Sequence, residues 1–428
     1  MRNQLRLLRD VSALVLIVAT WRLWFTASDF PAVPFSSFLT ETPRGVDRIL
    51  SSLLVISLLI DAAVMAVQVA GRNCSQRFVR IGQICDSAFV MSAVLLILLN
   101  QHCLQPWMYH FLIMTPLLWP STSQPDPDAV SEEVVATSRF SEQTIIWLTA
   151  SIYVWSAWSK LDASFLQYHG PKFVRAICEV IGLSTSFWSE QTWRFAAAML
   201  PVGELLVGVA LLFRKTRTFG LVASVAMHFL LMIAVGPWGL NHEAGVLIWN
   251  VFFIVQNVIL LLPGTRQERT CVQVGSRMRF RAPCLVVMGA ILFPAFRTVG
   301  CCDTWPAWAV YASSPARVLV QVHDDSVETL PTPLKKFVEQ RTFNDGWSWL
   351  RIDHWSLAAT GTPLYPEDRF QLGVARFVLQ EVESGDGIRI IHEEESDRWT
   401  GERNRSDFQG QTEISGLAEK FRLNSKPR

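Results

Sequence analysis

Charged residues are scarce in this chain. Aspartate, glutamate, lysine and arginine make up 18% of the 428 residues, whereas soluble domains carry about 25%. Half of the residues are hydrophobic, and several apolar runs approach the roughly 20 residues that a helix needs to cross a bilayer. This composition excludes an ordinary soluble globular protein and predicts a polytopic membrane protein.

Motifs for several common chemistries are also missing. The sequence has no phosphate-cradling Gly-x-x-x-x-Gly-Lys, no dinucleotide fingerprint and no nucleophile elbow. Its eight cysteines contain no Cys-x-x-Cys pair, and its histidines lack the spacing of established zinc sites. We therefore expect no metal, no nucleotide cofactor and no nucleic-acid partner.

The apolar runs predict an all-α polytopic membrane helix bundle with about nine spans. They lie at about 11–27, 49–70, 82–100, 104–120, 143–160, 195–213, 219–236, 244–262 and 282–299. The first run is not followed by a small-x-small cleavage site, so we expect it to remain as a span rather than to be removed as a signal peptide.

Basic loops predict the orientation in an inner or plasma membrane. Arginines and lysines cluster at the N-terminus and in the loops at about 72–80, 214–217 and 266–281. With nine spans, all of these loops fall on one side, which the positive-inside rule assigns to the cytoplasm. The acidic stretch 121–142 falls on the same side but carries little weight in this rule. We expect a cytoplasmic N-terminus and an extracytoplasmic C-terminal region.

The composition divides the chain into three parts. Residues 1–300 form the predicted transmembrane domain, and 301–395 a small extracytoplasmic α/β domain in which Arg317–His323 alternates like a half-buried strand. Residues 396–428 are mostly polar and predict a poorly ordered tail. Cys103, Cys178, Cys301 and Cys302 either form disulfides in an oxidising compartment or are small buried thiols, and the pairing stays open.

A lysine at the end of a membrane span is the first candidate for chemistry. Lys160 follows the apolar run Thr144–Ala157, where a cation is costly unless it snorkels, pairs or reacts. A lysine shielded from water loses affinity for its proton and could serve as a general base. The alternative is an interfacial anchor paired with Asp162 or a lipid phosphate. His102 could orient or deprotonate such a base, or be an interfacial histidine in a turn.

Other polar residues lie inside predicted spans. His228 and Glu204 are surrounded by apolar residues, and a polar group at that depth is a functional candidate or bonds a neighbouring helix. Arg22 and Asp61 are predicted to form a structural ion pair, because an unpaired buried charge would cost more. Asn241 and His242 lie at the outer mouth of two spans, where they line a site or face water.

At these residues the chain resembles a known family. Asn100-Gln101-His102 is similar to the Asn-Asn-His segment of vitamin K-dependent γ-carboxylases, and Ser159–Phe165 is similar to their Lys-Lys-Leu-Asp-Ala-Asp-Trp motif. Bacterial relatives are the HTTM (horizontally transferred transmembrane) proteins. DoxX/MauE-like bundles share part of the pattern. The resemblance covers roughly residues 10–300.

The resemblance implies quinol chemistry. Lys160 would deprotonate a reduced, vitamin K-like quinone, and His102 would support it as the second catalytic residue. His228 matches a further family histidine and is assigned to the ligand pocket. The residues themselves add Glu204, Asn241 and His242 to this predicted pocket, with Trp107, Trp155 and Trp158 as flat walls that would stack on a quinone. The carboxylases also carry a long β-rich substrate region, which residues 303–428 do not resemble, so peptide carboxylation is not implied.

Two functions follow from these observations. The first is a quinol-dependent oxygenase or carboxylase-like enzyme with Lys160 as base. The second is a non-catalytic membrane module that binds a quinone or lipid, or supports a redox partner, as DoxX/MauE-like proteins would. The bilayer is the partner that both functions require.

Overall fold

The computed structural model describes residues 1–26, 29–71, 76–119, 132–262, 282–339, 346–382 and 385–428. The expected basic loop at 266–281 and residues 121–131 of the acidic stretch 121–142 lie outside these described residues. Within them the chain is mostly helical and ends in a small antiparallel sheet.

Eleven of the described helices precede the sheet. They are α1 (Arg2–Ala19), α2 (Trp21–Trp24), α3 (Gly45–Val69), α4 (Gln76–Leu99), α5 (Pro106–Leu118), α6 (Glu132–Lys160), α7 (Gly170–Val180), α8 (Glu190–Leu212), α9 (Arg217–Val235), α10 (Ala244–Leu261) and α11 (Ala282–Leu292). This part also contains short 3-10 turns at Ser37–Leu39, Gln101–Cys103 and Phe293–Val299 and a π-helical turn at Phe165–His169.

Five described helices are long and apolar enough to cross a membrane, namely α3, α4, α8, α9 and α10. The chain is therefore an integral membrane protein, but nine spans are not confirmed. The runs at 104–120 and 282–299 give α5 and α11, with 13 and 11 residues. At 1.5 Å per residue neither reaches across a hydrocarbon core of about 30 Å.

The membrane helices pack around one shared apolar core. α1 contacts α3, α5 and α10, whereas α6 contacts α8 and α11, and α8 contacts α9. Gly208 on α8 permits close approach to α6, because a Cβ there would lie 3.1 Å from the backbone oxygen of Ala150. Small residues let membrane helices approach in this way without a cavity.

The C-terminal domain is built on a five-stranded antiparallel sheet of order β2-β3-β1-β4-β5. The strands are β1 (Arg317–His323), β2 (Val338–Glu339), β3 (Trp347–Leu350), β4 (Ile388–Glu393) and β5 (Arg405–Gln409). The helices are α12 (Asp324–Val327), α13 (Thr332–Lys335), α14 (Ile352–Thr360), α15 (Asp368–Glu381) and α16 (Gly410–Ala418). The strand predicted from the alternation at Arg317–His323 is confirmed.

The segment 396–428 corrects the expectation of a poorly ordered tail. It supplies β5, which pairs with β4 from Arg389↔Gln409 to Glu393↔Arg405. α16 follows and buries Ile414 and Leu417 in the domain core. Ile414 and Leu417 are three positions apart and therefore lie on one face of α16. The edge of the sheet at β4 supplies backbone hydrogen-bond partners for β5, and amino-acid composition does not reveal such pairing.

The C-terminal domain is docked on one end of the bundle. Gly361 lies against the end of α1, since a Cβ there would be 3.4 Å from the Ala19 backbone oxygen. Gly373 on α15 packs on Val33, and the chain end returns to pair Arg428 with Asp47. The N-terminus of α1 and the turn between α8 and α9 therefore lie at the far end of the bundle. The described cysteines, Cys85, Cys103, Cys178, Cys301 and Cys302, are all free.

This arrangement yields a topology prediction. Reporters placed at Arg217 and after Arg428 should give signals from opposite compartments, because the α8–α9 turn and the docked domain occupy opposite ends of the bundle. Paired alkaline phosphatase and fluorescent-protein fusions measure this. A signal from the same compartment at both positions would contradict the arrangement of α8 and α9 as spans.

Candidate functional site

Lys160 is held in an ion pair rather than left free. It is the last residue of α6, and its Nζ donates to Glu204 Oε2 on α8 at 2.7 Å and to Ser156 Oγ at 2.6 Å. The lysine and glutamate side chains are only 13% and 12% exposed. Among the predicted site residues, this is the pair that the structure brings together.

His102 belongs to the interface with the C-terminal domain. Its ring is fully buried, and Nε2 lies 2.7 Å from the Pro363 oxygen and 2.9 Å from Thr362 Oγ1. Burial lowers the pKa of His102 to about 4, so the ring is neutral and its Nε2–H donates to the carbonyl. The predicted catalytic pair is not assembled, because Lys160 and His102 each bond to other residues.

The other predicted pocket residues are dispersed. Trp107 packs against Trp24 in the core with tilted rings, Trp155 Nε1 donates to the Ile291 oxygen, and Trp158 is half exposed beneath the Arg398 guanidinium. Asn241 occupies an exposed turn with φ of 51°, and His242 Nδ1 is 2.9 Å from the Tyr311 hydroxyl. These residues do not share one pocket.

The predicted ion pair between Arg22 and Asp61 is wrong. Asp61 bonds to Arg6 at 2.8 Å, whereas Arg22 is exposed and donates to the Ala358 oxygen at 3.1 Å. α1 and α3 run in opposite directions, so the C-terminal half of α3 is level with the start of α1. Arg22 lies about 24 Å beyond Arg6 along the direction of α1, at a helical rise of 1.5 Å per residue.

His228 anchors a polar chain inside the membrane bundle. Its Nε2 is 2.8 Å from the Tyr153 hydroxyl on α6, and its Nδ1 is 2.7 Å from Asn250 Oδ1 on α10. Asn257 Nδ2 in turn donates to the Tyr153 hydroxyl at 2.8 Å and to Ser224 at 3.2 Å. Hydrogen bonds between helices satisfy polar groups that hydrocarbon cannot solvate.

A second buried histidine lies beside this chain, in a cage of rings. His110 on α5 is enclosed by Trp249, Phe252, Phe253 and Trp308, with ring centroids 5.3 to 6.5 Å from its own. We call these five residues the aromatic cage. Phe253 stacks on both histidines, at 5.3 Å from His110 and 5.1 Å from His228. The cage and the polar chain therefore form one continuous site.

Three members of the aromatic cage have buried nitrogen atoms without a hydrogen-bond partner in the part of the chain that the structure describes. They are Nδ1 and Nε2 of His110 and Nε1 of both Trp249 and Trp308. Most buried polar atoms in proteins form a hydrogen bond, and an atom that does not needs an explanation, such as a polar ligand that binds there. Each indole supplies one donor, and a neutral imidazole one more. The cage thus offers three N–H donors among apolar ring faces.

Trp308 reaches the aromatic cage from the segment that follows the membrane helices. It is completely buried and has a φ of 59°, a left-handed conformation that is unfavourable for a side chain of this size. Backbone strain of this kind persists only where the surrounding structure enforces it. At Trp308 a turn enforces it, in which the backbone N–H of Trp308 donates to the Trp305 oxygen.

Sequence reasoning did not select His110, Tyr153, Asn250 or Trp308. The signal for His110 was available, because it lies in an apolar helix as His228 does. Trp308 had no comparable signal, since only the tertiary fold returns it to the membrane helices. No group of three or more potential metal ligands occurs among the residues that the structure describes.

A separate cavity of about 240 Å³ lies just beyond Lys160, between the membrane helices and the C-terminal domain. It is lined by Asp162, Gln167, Arg194 and Arg398 among others. Burial raises the pKa of Asp162, whose Oδ1 accepts from the Phe165 N–H at 2.7 Å. Lys160 and His102 are not among its lining residues, so it is not the predicted quinol pocket.

Residues 138–242, about a quarter of the chain, match the family model of methylamine utilisation protein MauE. No curated protein and no solved structure matches the chain. The match covers most of α6 and continues through α9, including Lys160, Glu204 and His228. It supports the DoxX/MauE-like part of the resemblance, whereas the γ-carboxylase part gains no support from it.

Proposed function

We propose that this protein is a non-catalytic membrane module that binds a quinone in the aromatic cage. The observation that carries the proposal is that His110, Trp249 and Trp308, whose rings are neighbours, each have a buried nitrogen without a partner among the described residues. A quinone presents two carbonyl acceptors on a flat ring. It therefore matches both the donors and the stacking faces of the cage.

The polar chain next to the cage would hold it in shape. Phe253 separates His110 from His228, which is itself fixed by Tyr153 and Asn250. Residues that are locked by their own hydrogen bonds keep a binding surface preorganised and lower the ordering cost of binding. Two of these residues, Tyr153 and His228, belong to the MauE-like region, whereas α5 and α10 supply the opposite wall.

Trp249 is the member of the aromatic cage whose side chain can most easily move to let a ligand enter. The side chains of His110 and Trp308 are fully buried, whereas Trp249 is half-buried on α10. A hydrophobic quinone partitions into the bilayer, and rotation of a half-buried indole costs less than displacement of a buried one. Binding then replaces ring–ring contacts within the cage by ring–quinone contacts of similar geometry.

The enzymatic alternative has less support from the geometry. A general base needs a lone pair directed at its substrate, but the described contacts of Lys160 Nζ are with Glu204 and Ser156. Its expected partner His102 bonds to the C-terminal domain. A lysine in an ion pair at the end of a span serves as a structural contact in the proposed module.

Quinone titration of the full-length protein in nanodiscs tests the proposal. A short-chain benzoquinone and menadione should bind to the wild type without being consumed. His110→Phe and Trp308→Phe keep an aromatic ring but remove a donor, so each should weaken binding by roughly tenfold, as for one lost hydrogen bond.

Trp399→Phe is the matched control, because Trp399 is 81% exposed in the C-terminal domain, and it should leave the affinity unchanged. Equal affinities for all four proteins, or no binding by the wild type, would refute a quinone site in the cage. Consumption of the reduced quinone that disappears in Lys160→Ala would favour the enzyme instead.

A further inference from the structure

A second set of buried polar residues lies at the far end of the bundle from the C-terminal domain. Arg6, Arg9 and Asp10 on α1 meet Asp61 on α3 and Asp86 on α4, and none is more than 1% exposed. We call these five residues the charge cluster. The quinone proposal does not use it, and the MauE-like region does not include it.

Two of the three carboxylates are fully paired with the guanidinium groups. Asp86 accepts from Arg6 and Arg9 at 2.8 Å through its two oxygens, and Asp61 accepts from Arg6 through both oxygens at 2.8 Å. Such charge-assisted bonds are the strong ones in proteins. Asp61 and Asp86 therefore hold α1 against α3 and α4 as carboxylates.

Asp10 differs from the other two. Its Oδ1 accepts from Arg9 at 2.8 and 2.6 Å, but its Oδ2 has no donor among the described residues. Arg9 Nη2, which donates to Asp10 Oδ1 at 2.6 Å, also lies 3.3 Å from Asp61 Oδ2, so the two carboxyl groups are neighbours around one guanidinium. Neighbouring carboxylates repel each other unless one of them carries a proton.

The charge balance of the cluster leads to the same conclusion. Three carboxylates face two guanidinium groups, so a fully ionised cluster would carry one uncompensated negative charge. An uncompensated charge costs several kcal/mol in a buried site. Arg2 interacts with Arg6 but its side chain is exposed, so its charge is not enclosed with the cluster.

Among the residues that the structure describes, only Arg6 and Arg9 form ion pairs with the three carboxylates. Arg9 Nη1 donates to Thr115 on α5 at 2.9 Å, and the Cys85 thiol on α4 also faces the cluster. α10, which packs on α1 as well, has no charged residue from Ala244 to Leu261. Gly82 on α4 makes room, because a Cβ there would lie 3.2 Å from the Arg6 guanidinium.

We propose that the charge cluster is a proton-binding site, in which one proton is shared between Asp10 and Asp61. The proton neutralises the enclosed charge and links Asp10 Oδ2, the cluster oxygen without a donor among the described residues, to the carboxyl group of Asp61. Loss of this proton leaves two adjacent carboxylates at the contact of α1 with α3, so the packing of these helices responds to pH at this end of the membrane.

Asparagine at position 10 imitates the protonated acid and provides the first test. Asp10→Asn should keep a thermal midpoint within a few degrees of the wild type, because its amide can donate to Asp61. The matched variant Asp86→Asn also removes one carboxylate, but it breaks two bonds to arginine. It should lower the midpoint by more than about 5 °C.

The pH dependence has a defined sign. The folded state binds a proton that the unfolded state releases near neutral pH, so wild-type stability should fall as the pH rises towards alkaline values. Asp10→Asn should be less sensitive over the same range. An Asp10→Asn midpoint below that of Asp86→Asn, or a wild-type midpoint that rises with sodium at constant ionic strength, would overturn the proposal. The sodium result would indicate a cation site instead.

Infrared spectroscopy provides a direct measurement of the shared proton. The difference spectrum of the wild type minus Asp10→Asn in detergent near neutral pH should show the carbonyl band of a protonated carboxylic acid, shifted in D₂O. Carboxylic acids elsewhere in the protein contribute equally to both spectra and cancel. Absence of this band from the difference spectrum would refute the shared proton.

Discussion

Arg369→Met should destabilise the docked C-terminal domain by about 3 kcal/mol, the cost of leaving a buried carboxylate without its partner. Arg369 is 7% exposed on α15. Its guanidinium donates to Asp303 and to Gln101 Oε1, each at 3.0 Å, and lies 3.5 Å from Glu367. It therefore joins the domain, the segment after α11 and the turn after α4. Differential scanning calorimetry and limited proteolysis of the full chain measure the loss.

The same variant should show a pH-dependent defect. Burial, together with the charge of Asp303, raises the pKa of Glu367 to about 7 from its ordinary value of 4.5. A carboxyl whose pKa is raised by folding stabilises the fold below its ordinary pKa and loses that contribution as the pH rises through the folded value. The defect of Arg369→Met should accordingly be smaller in acid, where Glu367 is neutral, than at neutral pH.

Arg376→Met is the control, because it removes the same group from the same helix. Arg376 is half-buried and donates to the Ser425 oxygen at 3.3 Å, with no carboxylate partner among the described contacts. Its loss should be below about 1 kcal/mol. Equal losses for the two variants would show that Arg369 does not hold the domain through its ion pairs.

Local patterns in the sequence predicted much of the fold. Alternation identified β1, apolar spacing identified α15, and hydrophobic runs identified the five long membrane helices. Each of these signals depends on neighbours in sequence. The prediction of nine spans counted too many of the apolar runs, because hydropathy alone does not distinguish a membrane span from a shorter buried helix. α5 is such a helix, since it begins at Pro106 and contains Pro116.

The candidate site was less predictable, because it depends on which helices meet at which depth. Asp61 needed a basic partner, but the antiparallel pairing of α1 and α3 selects Arg6 rather than Arg22. His228 was identifiable as a polar residue in an apolar helix, whereas its partners Tyr153 and Asn250 come from two other helices. Trp308 enters the aromatic cage from outside the membrane helices, which no local pattern indicates.

Substitutions in the Lys160–Glu204 ion pair distinguish a structural role of Lys160 from a catalytic one. Lys160→Met should destabilise the bundle by about 2 to 3 kcal/mol, because it leaves the Glu204 carboxylate largely buried and unpaired. Glu204→Gln should cost a similar amount by leaving the ammonium without its carboxylate. The double variant has no uncompensated charge and should recover most of the loss, a coupling that a double-mutant cycle of thermal stability measures.

A surface pair on the same helix provides the control for this cycle. Arg194 and Glu190 are four residues apart on α8 and 2.6 Å apart at their charged atoms, but their side chains are 49% and 78% exposed. Exposed pairs of this kind contribute about 0.3 to 0.5 kcal/mol, so Arg194→Met and Glu190→Gln should show almost no coupling. If Lys160 is a catalytic base instead, Lys160→Met should abolish quinol oxidation with little change in thermal stability, and adding Glu204→Gln should not restore the oxidation. That combination of results would contradict a structural role for the Lys160–Glu204 pair.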